Sequence, residues 1–144
     1  MIVGQILNGK AITTTEGIAP DATVGEAVAI LSEKRIGALV VGTDLDKPDG
    51  IFSERDVVRE LGRQGASVLA QPVSALMTRK LVTCKPDDTA LNVLEKMTQG
   101  RFRHMPVMDN GKMIGLVSIG DVVKARLEEL AMERNALEGM IMGH

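Results

Sequence analysis

The chain has 144 residues, 44% of them hydrophobic and 25% charged, which suits one ordinary domain or two very small ones packed together. A formal net charge of −2 without a Lys/Arg block offers no face for nucleic acid, and the two aromatics, Phe52 and Phe102, are too few to stack a run of unpaired bases. One cysteine, Cys84, excludes an internal disulfide or a multi-cysteine zinc site, and the lack of a leader or a membrane-length apolar run points to a soluble, cytoplasmic protein.

The first periodic segment follows "VGQIL" (3–7). Thr23 precedes Val24, Ala27, Val28 and Leu31 at helical spacing, and Glu26 completes a capping box. A short apolar strand, "ALVV", comes next, then the polar turn "DLDKPDG", then a second strand, "GIF", and a helix that opens at Ser53. The stretch "GRQGASVLAQP" (62–72), punctuated by Gly62, Gly65 and Pro72, is a linker. Beyond it the same grammar returns. Thr89 precedes Ala90, Val93, Leu94 and Met97. "HMPVM" and "MIGLV" are strands joined at "DNGK", whose Asn-Gly pair signals a hairpin, and a helix opens at Ser118. That last helix is expected to reach a C-cap at Gly139. Its Leu127, Leu130, Leu137 and Ile141 follow a 3–4 spacing interrupted by Arg134, too short for a coiled coil to be assigned from sequence.

The chain is therefore written twice. "PDATVGEAVAIL" (20–31) matches "PDDTALNVLEKM" (86–97), "IGALVV" (36–41) matches "FRHMPV" (102–107), and "GIFSERDVV" (50–58) matches "GLVSIGDVV" (115–123). Upstream, "VGQIL" resembles "VSALM" (73–77). Each half reads as strand–helix–strand–strand–helix. The first repeat covers 1–66, the second 67–130, and 131–144 is a C-terminal helical extension and tail that ends at His144.

The repeated Ser-x-x-Asp has two compatible readings. It is a helix N-cap, with serine and aspartate exchanging hydrogen bonds across the first turn. It is also a strand-to-helix corner that offers free amides to a phosphate and a carboxylate to a ribose diol. A glycine three residues before each serine marks close approach of a ligand or of another backbone.

These residues resemble the CBS domain family, specifically a tandem CBS pair, or Bateman module, over about residues 1–130. The fold this implies is α/β (α+β), two pseudo-symmetric β-α-β-β-α repeats packed sheet to sheet. The implied function is a non-catalytic regulatory sensor that holds AMP, ADP, ATP, S-adenosylmethionine or NAD(H) in the cleft between repeats. On that resemblance Asp56 and Asp121 hold ribose hydroxyls, Ser53 and Ser118 face phosphate or ribose, and Arg55 adds charge beside phosphate. Ile119 and Gly120 complete the second corner, and Gly120 in place of Arg55 makes the two sites unequal. Backbone groups of Ile36, Gly37 and Ala38, and of Phe102, Arg103 and His104, read the adenine edge. Asp121 works with Ile36–Ala38, and Asp56 with Thr83 and Phe102–His104. Thr15 or Ile18 stands where Thr83 does. The resemblance also implies a homodimer formed through helices, with an unknown target protein downstream.

Arg101 and Arg103 are candidate phosphate partners. Cys84 with His104 is the one conceivable nucleophile–base pair, and neither a metal-ligand spacing nor a nucleotide-binding glycine fingerprint is present, so no catalytic group or catalytic cofactor is expected. Among the nine methionines, Met97, Met105, Met108 and Met113 suit a core, and Met132, Met140 and Met142 a partner surface. The competing reading is a ligand-free adaptor dimer; an enzyme acting on bound nucleotide ranks last.

Overall fold

The structure, a computed structural model, describes residues 1–10 and 15–141; Met142 and His144 lie outside the described residues. The elements in chain order are α1 (Val3–Asn8), β1 (Gly17–Ile18), α2 (Val24–Lys34), β2 (Ala38–Val41), β3 (Gly50–Ser53), α3 (Glu54–Gln64), α4 (Ala90–Gly100), β4 (His104–Asp109), β5 (Lys112–Ser118) and α5 (Ile119–Ile141). Two 3-10 stretches, Gly65–Ala70 and Val73–Ala75, lie between α3 and α4. The architecture is the expected mixture of helices and small sheets, one of order β1-β2-β3 and one of order β4-β5.

The chain forms two compact units. One comprises Thr14–Val82 and Asn110–Ile114, the other Met1–Thr13, Thr83–Asp109 and Gly115–His144. In the first unit β1 runs parallel to β2, with Gly17 opposite Val40, and β2 runs antiparallel to β3, with Ala38 opposite Ser53 and Leu39 opposite Phe52. The helix α2 starts where its capping box demands. Thr23 Oγ1 accepts from Glu26 N at 3.1 Å, and Thr23 N donates to Glu26 Oε2 at 3.2 Å. It ends at Arg35 in the left-handed conformation, φ 53°. Its apolar side (Val24, Ala27, Leu31) closes over Leu39, Val41, Phe52 and Val57.

The second repeat keeps this grammar. Thr89 Oγ1 accepts from Asn92 N at 3.1 Å, α4 ends at left-handed Arg101 (φ 55°), and Val93, Met97, Met105, Val107, Val117 and Val122 form the core. The Asn110–Gly111 turn has φ 53° and 77°, the paired positive values a two-residue hairpin needs. Met97, Met105 and Met113 are buried and Met108 is half-buried, as core filler should be. The strand expected at the start of this repeat is reduced to one bridge, Cys84 to Val107. Lys85 N turns instead to Asp88 Oδ2 at 2.8 Å, which takes the chain away from the sheet before Pro86.

Repeats and packing units partition the chain differently. Val3 N donates to Asp88 O at 2.8 Å and Ala90 N to Met1 O at 3.0 Å, so the opening segment of the first repeat braces the helix start of the second. Val73 N donates to Ala22 O at 2.8 Å and Val24 N to Gln71 O at 2.9 Å, so the opening segment of the second repeat braces the first. The likeness of "VGQIL" to "VSALM" is the sequence trace of this exchange. It also explains the repeated glycines. A Cβ on Gly50 would stand 2.7 Å from the Thr78 carbonyl oxygen, and one on Gly115 would stand 2.8 Å from Leu7. Of the two readings of these glycines, close approach of the bracing segment is the one the packing displays.

The helix α5 passes its expected C-cap. Gly139 stays helical and the helix continues to Ile141. Nothing lies within 4 Å of a Cβ built on Gly139, so no packed group forces a stop there.

Candidate functional site

Each unit contains one strand-to-helix corner with the same backbone wiring. In the first, Glu54 N donates to Gly37 O at 3.1 Å, tying the opening of α3 to the segment Ile36–Gly37–Ala38. In the second, Ile119 N donates to Arg103 O at 2.8 Å, tying α5 to Phe102–Arg103–His104. The sequence-predicted residues thus fall into two groups, each brought together within its own unit: Ile36, Gly37, Ala38, Ser53, Arg55 and Asp56, and Phe102, Arg103, His104, Ser118, Ile119, Gly120 and Asp121. Arg55, Arg103 and Gly120 are exposed, and Ile36, Gly37, Phe102, His104 and both serines are half-buried. Thr83 is exposed and adjoins Cys84 at its bridge to β4.

Register corrects one assignment. Ile18 lies opposite Val41 as Cys84 lies opposite Val107, so the counterpart of Thr83 is Gly17, not Thr15 or Ile18. Leu45 covers that glycine, and a Cβ there would stand 2.7 Å from its methyls. Spacing alone misses this because the segment entering the first repeat is longer than its counterpart.

Both aspartates cap their helices, yet they differ. Asp56 is 3% exposed. Its Oδ2 accepts from Ser53 N at 2.8 Å and from the Ser53 hydroxyl at 3.3 Å, and its Oδ1 lies 3.1 Å from Arg59 Nη2. The Asp121 side chain is 25% exposed. Its Oδ2 accepts from Ser118 N at 2.9 Å and from Lys10 Nζ at 2.9 Å, and Asp121 N donates to Ser118 Oγ at 3.1 Å. Lys10 also donates to Leu116 O at 2.9 Å. Burial pushes the Asp121 carboxyl up, but the Ser118 amide and the Lys10 ammonium outweigh it and hold the group below the ordinary carboxylate range.

Sequence reasoning missed Arg59 and Lys10. Arg59 was findable, since it follows Asp56 by one helical turn. Lys10 was not, because only the exchanged segment brings it to Asp121.

The nucleophile–base reading of Cys84 fails on its surroundings. The thiol is 2% exposed and lies 3.7 Å from Pro106 O. Burial, with Asp88 adding and Lys96 opposing, pushes its pKa up to about 11. A thiol this buried and this weakly acidic supplies no thiolate at neutral pH. Native protein at pH 7.5 is therefore expected to resist iodoacetamide and to react fully once unfolded in urea. Rapid labelling of the native chain would contradict this burial. Among the described residues no three His, Cys, Asp or Glu side chains group to hold a metal ion, and no helix is long and apolar enough to cross a membrane.

The CBS domain family matches the chain twice, at residues 12–63 and 73–128. The mitochondrial CBS domain-containing protein CBSX3 of Arabidopsis thaliana is 39% identical over 85% of the chain, which spans 62% of that relative's length. The crystal structure of the CBS-domain containing protein ATU1752 from Agrobacterium tumefaciens shares 44% identity at a TM-score of 0.83, covering 88% of this chain and 99% of that one. CBSX2, solved in complex with AMP, shares 26% identity at a TM-score of 0.71, covering 88% and 96%. Two matched capped corners, one per repeat, on a fold shared with these proteins lead to one conclusion: the chain belongs to the CBS domain family and carries two CBS repeats in tandem.

Proposed function

We propose that the chain is a non-catalytic regulatory module that binds an adenosyl ligand, AMP or NAD(H), at its Ser-x-x-Asp corners. The observation that carries this reading is Asp121: a partly exposed carboxylate held ionised at the opening of a helix. An ionised carboxylate accepts from both hydroxyls of a ribose, and the helix opening favours a phosphate. The AMP complex of CBSX2 supports the ligand class. Arg55 and Gly120 at matching positions, and Asp56 with both oxygens engaged, support unequal affinities at the two corners. Ligand acts as a signal only by binding one arrangement of the chain more tightly than another.

The ligand-free adaptor is the second reading, favoured by the exposed apolar residues of α5, among them Leu127 at 62% and Leu137 at 59%. Native mass spectrometry of freshly purified protein separates the two. Added mass equal to an adenosyl compound, restored by AMP or NAD(H) after stripping, supports the sensor. A chain that stays at its bare mass with millimolar AMP or NAD(H) refutes it.

A further inference from the structure

Lys10 reaches Asp121 through the packing of α1. Gly115 has no side chain, and Leu7 takes the room: a Cβ there would stand 2.8 Å from a Leu7 methyl. With Leu7 seated, α1 ends at once. Gly9 N donates to Gln5 O at 3.1 Å and Lys10 N to Leu7 O at 3.3 Å. The Lys10 side chain is thereby delivered to the opening of α5. Its ammonium carries three hydrogens. One goes to Leu116 O and one to Asp121 Oδ2, each at 2.9 Å. Among the described residues the third has no acceptor, and Asp121 Oδ1 has no donor. The two side chains are 24% and 25% exposed, so this pair stands at the surface with one donor and one acceptor still to offer.

The two corners acquire their cations differently. "VGQILNGK" (3–10) matches "VSALMTRK" (73–80), so Lys80 answers to Lys10. "SERDVVR" (53–59) matches "SIGDVVK" (118–124), so Lys124 answers to Arg59. In the first corner the helix supplies the cation. Arg59 Nη2 lies 3.1 Å from Asp56 Oδ1, and Lys80 is exposed, with no ion pair among the described residues. In the second corner the bracing segment supplies it. Lys10 holds Asp121, and Lys124 is exposed, again with no ion pair among the described residues. Arg59 completes the bonding of a carboxylate that is 3% exposed, whereas Lys10 leaves one oxygen of Asp121 unused. Gly120 adds no bulk beside it, since a Cβ there would meet only Ser118 Oγ, at 3.7 Å. Room for a ligand and an unspent positive charge coincide at Asp121.

We propose that Lys10 sets the specificity of the Asp121 corner: its ammonium binds the 5′-phosphate of an adenosyl ligand whose ribose Asp121 holds. The corner then selects a nucleotide over the bare nucleoside. This role rests on the sensor reading and adds to it a phosphate partner from outside the repeated motif. Calorimetry of the full chain with AMP and with adenosine tests it, following the binding event that Asp121→Ala weakens. Wild type should prefer AMP. Lys10→Met keeps the aliphatic stem and removes the charge. It should weaken AMP about tenfold to a hundredfold, as loss of a charged hydrogen bond does, and leave adenosine within about threefold. Lys10→Gln, which keeps a donor for Leu116 O, should do the same, and Lys124→Met should change neither ligand. Circular dichroism confirms the fold of each variant. Equal AMP affinity in wild type and the Lys10 variants would overturn the role of Lys10 while leaving the sensor reading standing. So would a wild type without preference for AMP, equal losses for AMP and adenosine, or an AMP loss that falls on Lys124→Met instead. A wild type that binds neither AMP nor NAD(H) ends both.

Discussion

On the proposed function, Asp121→Ala is expected to weaken AMP or NAD(H) binding by about 1.5–3 kcal/mol, the scale of losing hydrogen bonds to a charged group. Calorimetry should therefore read a dissociation constant roughly ten- to a hundred-and-fifty-fold higher. The same change removes the acceptor of the Ser118 amide and the partner of Lys10, so the variant also loses on the order of 1 kcal/mol of capping stability. Asp121→Asn tells the two effects apart. It can still accept from Ser118 N, but it presents a donor where the carboxylate has a second acceptor, so affinity should fall while the melting temperature barely moves. Because the carboxyl titrates below its ordinary value, its part in the affinity should stay constant from pH 8 down to about pH 5. Wild-type affinity in Asp121→Ala would remove Asp121 from the site.

Asp56→Ala should behave differently. That carboxylate is almost fully buried and engages Ser53 and Arg59, so its removal mainly destabilises the first repeat.

Phe52→Ala costs about 3–5 kcal/mol of unfolding free energy, the range for truncating a fully buried phenylalanine. Phe52 is 0% exposed, sits opposite Leu39 in the sheet, and is the bulkiest side chain in its core. Its counterpart in the other repeat is Val117, also 0% exposed. Val117→Ala removes only two methyl groups and should cost roughly 1.5 kcal/mol from transfer alone, with a modest cavity addition. Urea unfolding followed by circular dichroism measures both. A loss under 1 kcal/mol for Phe52→Ala would mean that the first repeat does not depend on this core. The contrast shows how a duplicated fold fills corresponding positions with different volumes, each repacked by its own neighbours.

The sequence alone determined what local chemistry specifies. The spacing of Val24, Ala27 and Leu31, and of Ala90, Val93 and Met97, marks two helices whose threonine caps form where expected. Asn110–Gly111 forces a hairpin because both residues tolerate positive φ. Ser53 and Asp56, and Ser118 and Asp121, meet because three residues across a helix start is hydrogen-bonding distance. The duplication names the family, since four matched strings in one order are a long-range signal written in linear form.

Tertiary structure alone decided what depends on segments distant in the chain. Nothing near Asp121 in sequence announces Lys10, which arrives because the opening segment braces the second repeat. Nothing near Gly17 announces that it, and not Thr15 or Ile18, answers to Thr83, since strand register is settled by pairing with β2. The same exchange of bracing segments explains the glycines at 50 and 115, as the surface that would clash with a side chain belongs to residues far along the chain. Local rules act over one helical turn or one hairpin, and these contacts join residues 23 to 111 positions apart, so only the folded chain could supply them.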